Sequence, residues 1–426
     1  MKYDSAKALI LGAGVSGEAA AELIRSRNGT VTLLDRQIVP ELRSRLEAKN
    51  IACFETDTTV PDDDFTVCIA SPSISPRHPW LQACGQRGIP VVSEIELAAA
   101  YWQGKTIAVT GSKGKSSLVK FCAETLSLAG IPARACGNYG FPFARVVLER
   151  TDQVAVVEIS SFQMEHTSSF APDCAILLNI QNEHLDRHET FENYRRLKLK
   201  LFAAMKPGGL ALIPFDFDAP VQVPQGVQLR RFDLPDERIE SANSYFGNPV
   251  LLRSLAAGTA ALDRLGLAIP QINAGLRAFT PLPHRFQTVT EKDGVLYIDD
   301  SKATNLSALI AGLEMAGRPV RLIAGGLLKE KDLTFVKEKL SKHAKKVYLI
   351  GTCAQQMKAA WEDSVPCELC TELDAAVEAA VREARSGEAV LLSPGTASFD
   401  QFRSYGERGD TFAKKVRELT ANDRKA

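Results

Sequence analysis

A chain of 426 residues with 51 basic and 51 acidic side chains is too long for one ordinary core, and it carries no net charge to draw it to nucleic acid or a membrane surface. Two or three domains and small-molecule partners are expected, with any anion held by local groups. Nine scattered cysteines, no basic leader and no apolar run long enough to span a bilayer suit a reduced, cytoplasmic protein, expected to be a monomer.

Short apolar runs alternate with helix-period segments from end to end, which predicts an α/β chain of parallel sheets with covering helices. Three domains are expected: 1–93 and 282–426, both Rossmann-like, and 94–281, built like a P-loop ATPase. Ala8 to Gly12 and Thr30 to Asp35 read as the first two strands, with a helix from Gly17 to Arg27 between them. Gly12-Ala13-Gly14-Val15-Ser16-Gly17, with Asp35 ending the next strand, has the spacing of a dinucleotide-binding turn. Three readings stay open for it: NAD, the diphosphate of a nucleotide-sugar substrate, or a turn that only packs helix on strand.

After Pro90-Val91-Val92-Ser93 a second unit begins, in which a strand from Thr106 to Gly111 feeds a helix from Lys115 to Ala129. Between them lies Thr110-Gly111-Ser112-Lys113-Gly114-Lys115-Ser116. Its glycines let backbone amides turn towards phosphate oxygens, Lys115 adds a full charge, and Ser116 offers a hydroxyl to Mg²⁺. Val109 stands where the commoner G-x-x-x-x-G-K-S form has its first glycine, so a variant family is expected; a plain glycine turn is the alternative. The strand Val154 to Ile159 puts Glu158 and Ser160 at its carboxyl end, where open α/β sheets bind ligands and a carboxylate suits Mg²⁺. A further strand, Cys174 to Ile180, leads into Asn179-Ile180-Gln181-Asn182-Glu183-His184-Leu185-Asp186, and His184 reads as functional because of that position. Lys198 and Lys200, on the next helix, read by pattern alone as solvated charges, and Pro214 to Gly226 reads as loop.

The third unit opens after Thr280-Pro281-Leu282-Pro283, with His284-Arg285-Phe286 directly following. Its predicted strands are Leu296 to Asp299, Val320 to Ala324, Val347 to Ile350 and Ala389 to Leu392. The segments Asp299 to Asn305, Gly325-Gly326 and Ser393 to Ser398 each end a strand. Any one of them can be a structural cap, but several on one rim point to a site. Cys367 and Cys370 form one C-x-x-C with no second pair near it, and read as structural.

In this order, and over essentially the whole chain, the motifs resemble the Mur ligase family, and within it the D-glutamate-adding branch. They are G-A-G-V-S-G, T-G-S-K-G-K-S, E-I-S-S-F-Q, N-E-H-L-D-R-H, Y-R-R-L-K-L-K, P-H-R-F, D-S-K-A-T-N and S-P-G-T-A-S-F-D-Q-F, with S-S-F-Q and D-S-K-A-T-N the most branch-specific. The resemblance implies ATP-dependent amide-bond formation between UDP-N-acetylmuramoyl-L-alanine and D-glutamate through an acyl phosphate, with two Mg²⁺ ions, in peptidoglycan precursor synthesis. It implies ATP contacts from Gly111, Ser112, Lys113, Gly114, Lys115, Ser116, Ser117, Asn248, Arg285 and Asp300. Metal contacts would come from Ser116, Glu158, His184 and Lys198, the lysine after carbamylation by CO₂, against its pattern-only reading. The UDP substrate would meet Val15, Ser16, Asp35, Arg36, Ser73, Asn138 and Ser160. Thr304, Lys329, Ser398 and Tyr405 would form the glutamate pocket, and catalysis would fall to Lys115, His184, Lys198 and Lys302.

The chain departs from the family pattern at Ser73, where glycine is usual, at Leu251, which replaces a second asparagine after Asn248, and at Leu327-Leu328 before Lys329. Binding groups spread over three units imply domain closure. Rival readings are an NAD-dependent oxidoreductase, which leaves the phosphate loop idle, and a folylpolyglutamate-synthase-like ligase, which lacks an N-terminal nucleotide-sugar unit. The same ligation with L-glutamate and a non-catalytic binding protein complete the set.

Overall fold

The structure, a computed structural model, describes residues 2–149, 153–181, 183–242, 245–247, 249–328, 330 and 332–421, without the side chains of 249 and 250. Asn248 and Lys329, both expected to bind ligand, lie outside the described residues. The chain forms two compact units, one of residues 1–247 and 251–279 and the other of 248–250 and 280–426.

The first unit holds two sheets. β1 (Lys7–Leu11), β2 (Thr30–Asp35), β3 (Ala52–Glu55), β4 (Val67–Ala70) and β5 (Val91–Val92) lie in the order β3-β2-β1-β4-β5, all parallel. β6 (Lys105–Thr110), β7 (Ala133–Gly137), β8 (Val154–Glu158), β9 (Cys174–Leu177), β10 (Leu210–Pro214) and β11 (Gln228–Phe232) lie in the order β11-β10-β9-β6-β8-β7, again parallel. The near-continuous apolar runs of the inner strands β1, β4, β6, β8, β9 and β10 are what burial on both faces demands, whereas the edge strands β3 and β11 are mostly exposed. In each sheet the strand order reverses beside the strand that feeds the glycine loop, β1 or β6, and the carboxyl ends there open the crevice where such sheets bind ligands.

One apolar cluster runs through both sheets' helices. It joins Ala20, Leu23 and Ile24 of helix Val15–Ser26 to Ile95 and Ala98 of helix Glu94–Ala99 and to Phe143 and Val146 of helix Phe143–Glu149. This shared core makes the two sheets one compact unit, a feature with no counterpart in the local sequence pattern.

In the second unit β12 (Gln287–Lys292), β13 (Val295–Asp299), β14 (Val320–Gly325), β15 (Ala344–Ile350), β16 (Cys367–Thr371) and β17 (Ala389–Leu392) lie in the order β12-β13-β17-β14-β15-β16. β12, absent from the sequence-based strands, pairs antiparallel with β13 through Asp293-Gly294, at φ 50° and 74°. That is the two-residue hairpin turn for which Asp-Gly is suited, and the polar β12 serves as the sheet edge. Cys367 and Cys370 are part of β16, and burial pushes both thiols up to about 11. Among the described residues no helix is long and apolar enough to cross a membrane.

Candidate active site

The glycine loop after β6 is built as its spacing predicts. Gly111 and Gly114 take φ of 149° and 83°, backbone that L side chains rarely adopt, and helix Lys115–Leu128 starts directly after them. Lys115 Nζ donates to the carbonyls of Gly111 (2.8 Å) and Ser112 (2.9 Å), so its charge lies inside the loop. Ser116 and Ser117 are buried in the first helical turn. Asn179, quoted in the sequence only as part of a polar run, braces the loop. Its Oδ1 accepts from the amides of Ser112 (3.1 Å) and Lys113 (2.8 Å), and its Nδ2 donates to the Lys113 carbonyl (3.1 Å). Lys113 pairs with Glu183 at 2.7 Å.

Beside the loop, on neighbouring β8, Glu158 is buried. Its Oε1 accepts from Asn138 Nδ2 at 2.9 Å, while Oε2 has no hydrogen-bond partner. A buried anionic oxygen without a donor fits a cation. Among the described residues no three His, Cys, Asp or Glu side chains converge as a metal cage, but Mg²⁺ usually takes only one or two protein carboxylates, with phosphate and water oxygens completing its shell. Ser160 caps helix Ser161–Met164, its Oγ accepting from Gln163 N at 3.3 Å.

Lys198 overturns the solvated-charge reading. On helix Phe191–Ala203 it lies in the buried stripe Tyr194, Leu197, Lys198, Leu201 and Phe202, and only 2% of it is exposed. Nζ donates to the Gly111 carbonyl at 2.8 Å and stands 4.5 Å from the centre of the Tyr194 ring. Burial, aided by the nearby Lys115 charge, pulls its pKa down to about 6. Lys200 is half-buried as well, donating to the Met164 carbonyl at 3.2 Å. His184 reaches the same region at φ 58°. The residue is exposed overall, yet its ring packs on Phe162 (4.8 Å) and Tyr194 (6.2 Å), and partial desolvation lowers its pKa.

In the first sheet, Gly12 takes φ 99°, and a Cβ on Gly17 would stand 1.9 Å from the Gly12 carbonyl oxygen, so the third glycine is required by helix-on-strand packing. Gly14 has nothing within 4 Å of its would-be Cβ, and Val15 is 65% exposed, which leaves room over the turn. Asp35 accepts from the amides of Ala13 and Arg36, both at 2.6 Å, so its carboxylate already fixes the turn. Ser73 Oγ lies 2.9 Å from Ser71 Oγ, in the loop that faces Gly12.

The second unit brings Arg285, Asp300, Lys302, Thr304, Ser398 and Tyr405 to the loops and helix starts around the strand ends of its sheet. His284 Nδ1 is 2.7 Å from Asp299 Oδ2, and Asp300 accepts from Ser393 Oγ (2.9 Å) and Phe286 N (3.1 Å). Burial raises the Asp300 carboxyl to about 7. Lys302 Nζ stands 3.7 Å over the Tyr405 ring. Thr304 is half-buried and Ser398 buried, while Arg285 follows His284 in a turn that takes positive φ at His284 and Phe286.

Sequence reasoning missed Arg408, 1% exposed, whose guanidinium reaches Ser301 Oγ (3.0 Å), Ser301 O (2.9 Å) and Thr396 O (3.2 Å) and so ties two rim loops together. The only local signal was an arginine on the apolar side of an amphipathic helix.

Two family models match: the Mur ligase middle domain over residues 109–234 and the Mur ligase, glutamate ligase domain over 284–395. A protein named UDP-N-acetylmuramoylalanine--D-glutamate ligase from Nitratidesulfovibrio vulgaris (strain DP4) is 38% identical over 423 residues, covering 97% of this chain and 96% of that protein. A relative of the same name from Solibacter usitatus is 32% identical over 446 residues, with coverage of 99% and 100%. Among solved structures, the MurF ligase from Thermotoga maritima in complex with ADP aligns over 98% of this chain and 100% of its own, with TM-score 0.61 at 16% identity. UDP-N-acetylmuramate-alanine ligase MurC from the same organism aligns over 98% and 100%, with TM-score 0.58 at 14% identity. At that identity these two speak for the fold alone. With the central and C-terminal models matched and relatives similar over nearly the full length, the chain belongs to the Mur ligase family.

Proposed function

We propose that this chain joins the carboxylate of UDP-N-acetylmuramoyl-L-alanine to the amine of D-glutamate at the expense of ATP, the ligation for which its relatives are named. The observation that carries the reading is the pairing, at adjacent strand ends, of a lysine-bearing phosphate loop with the buried, unpartnered Glu158 oxygen. The substrate carboxylate attacks the γ-phosphorus, ADP leaves, and the amine then attacks the acyl phosphate and expels phosphate. Lys115 and the loop amides offset the charge that spreads over the transferring phosphoryl oxygens. Mg²⁺, held by Ser116 and Glu158 with a second ion near His184 and Lys198, would supply further positive charge there.

Lys198 fits carbamylation because its amine is neutral near pH 7, so it can add CO₂, lose a proton and become an anionic oxygen ligand. Within the reading, the crevice at Gly12–Gly17, Asp35, Arg36 and Ser73 takes the UDP moiety, and Asn138 and Ser160 face the sugar and acyl end. Asp300 and Arg285 would contact ATP, and Thr304, Ser398 and Tyr405 the glutamate. The enzyme is cytoplasmic and monomeric in this reading and acts only on small molecules.

Phosphate release from ATP, measured with UDP-N-acetylmuramoyl-L-alanine and D-glutamate, L-glutamate, L-alanine or meso-diaminopimelate, tests it. D-glutamate alone should react, since a site of matched donors rejects substrates that leave them unpaired. A preference for L-glutamate overturns the stereochemistry, reaction of the diamino acid alone overturns the branch, and no phosphate with any of them overturns the ligase.

A further inference from the structure

Helix Leu185–His188 is a single turn bracketed by His184 at φ 58° and Glu189 at φ 67°, left-handed conformations that side chains of this size hold only when their surroundings impose them. The surroundings centre on Arg187. Its Nε and Nη2 donate to the two carboxylate oxygens of Glu165 at 3.0 and 2.5 Å, and both side chains are about nine-tenths buried, at 11% and 10% exposure. The guanidinium lies 4.6 Å over the Phe162 ring, which also packs on the rings of His184 and His188 at 4.8 and 5.2 Å. His188, also buried, places Nε2 2.9 Å from Ser161 Oγ.

Arg187 has one more partner, and it lies far away in the sequence. Nη2 donates at 2.8 Å to the carbonyl of Ile74, in the loop after β4 that carries Ser73 and faces the Gly12 turn. A second, exposed strap joins the same loop to the same helix, Arg77 to Glu189. One buried guanidinium therefore touches both the loop of the first sheet's crevice and the cluster of rings that seats His184 next to the phosphate loop. A planar fork with donors in fixed directions can make these contacts at once; a lysine cannot.

We propose that Arg187 is a positioning residue that couples the two nucleotide sites of this unit: occupancy of the first-sheet crevice, transmitted through the Ile74 carbonyl, sets the placement of His184. The inference rests on the functional reading above, in which Ser73 serves the UDP moiety and His184 the metal. Such coupling is a free energy between two ligands and acts equally in both directions.

Calorimetry on the full chain tests it. The dissociation constant of a Mg²⁺-bound non-hydrolysable ATP analogue is measured without and with saturating UDP-N-acetylmuramoyl-L-alanine, and the converse titration is run as a check. In the unsubstituted protein the second ligand should bind about fivefold tighter or more in the presence of the first. Arg187→Met and Arg187→Lys should bring that ratio to about one while each ligand alone still binds, whereas Arg77→Ala, which cuts only the exposed strap, should keep it. A full ratio in folded Arg187→Met overturns the proposal, as does a ratio of one in the unsubstituted protein. If both Arg187 variants fail to fold, the residue is structural and the proposal falls. A protein that binds neither ligand would instead remove the functional reading itself.

Discussion

Lys115 and Lys198 converge on one oxygen, each placing Nζ 2.8 Å from the carbonyl of Gly111. Burial, reinforced by the neighbouring Lys115 charge, pulls the Lys198 pKa down to about 6. In the proposed function Lys115 serves as the phosphate counter-charge and Lys198 as the neutral amine that takes up CO₂.

Lys198→Ala is therefore expected to lose about a hundredfold or more in phosphate release, the usual scale for removing one electrostatic contact at a reacting phosphoryl group. Acetate or formate should restore part of it by standing in for the missing carboxylate. Carbon NMR of the unsubstituted protein under labelled CO₂ should show a carbamate resonance that the variant lacks. An alanine variant with full activity and no added acid would mean that Lys198 is only a buried amine.

For Lys115→Ala a similar loss, about a hundredfold or more, is expected with the melting temperature nearly unchanged, because the amine donates to the Gly111 and Ser112 carbonyls of its own loop and the side chain is no part of the buried apolar core. Near-normal turnover in that variant would exclude the phosphate-loop role.

The two glycines of the first turn should separate packing from binding. Gly17→Ala places a methyl 1.9 Å from a backbone oxygen that cannot move aside, and is expected to cost on the order of 3 kcal/mol or more in urea unfolding. Gly14→Ala, at φ −71° with open space around it, should leave stability unchanged but weaken UDP-N-acetylmuramoyl-L-alanine binding in calorimetry. Tight NAD binding with no affinity for the UDP substrate would reverse the assignment of this crevice.

Glu94 should make stability depend on pH. It is buried, with one oxygen held by Ala144 N at 2.5 Å and the other without a partner, and burial raises its carboxyl to about 7 from 4.5. The folded chain thus keeps a proton that the unfolded chain has already released, so this residue's contribution falls as pH rises from about 4.5 to about 7 and is flat above. Relative to the unsubstituted protein, Glu94→Gln should gain on the order of 3 kcal/mol across that window, read from urea midpoints at several pH values. A difference that does not change with pH would show that Glu94 is not the titrating group.

Arg408→Met should destabilise the second unit by about 2 kcal/mol or more, because the carbonyls of Ser301 and Thr396 lose a buried donor. Arg408→Lys should not restore it, since one ammonium cannot reach both loops as the fork does. Unchanged unfolding in either variant would deny the tie.

What could be read from the chain alone was what short segments decide for themselves. The glycines at 111 and 114 set loop torsions, the apolar run before Glu158 sets a strand, and the strand's end delivers the carboxylate to the rim, so the phosphate loop and its acidic neighbour were legible. The Asp293-Gly294 hairpin was equally local and was available to a closer reading. The identity of distant partners was not. Lys198 sits at helical spacing within an apolar stripe, yet a lysine there can as easily run its stem along the surface with its charge in water; only the packing of helix Phe191–Ala203 under the loop buries the amine. Arg187 finds Ile74, Arg408 finds Ser301, and the helices of the first two sheets find a common core, across separations of 113 and 107 residues for the two arginines. Spacing along a sequence fixes torsion and period, which are properties of neighbours in the chain, whereas a buried charge is settled by whichever groups the tertiary fold brings within 3 Å of it.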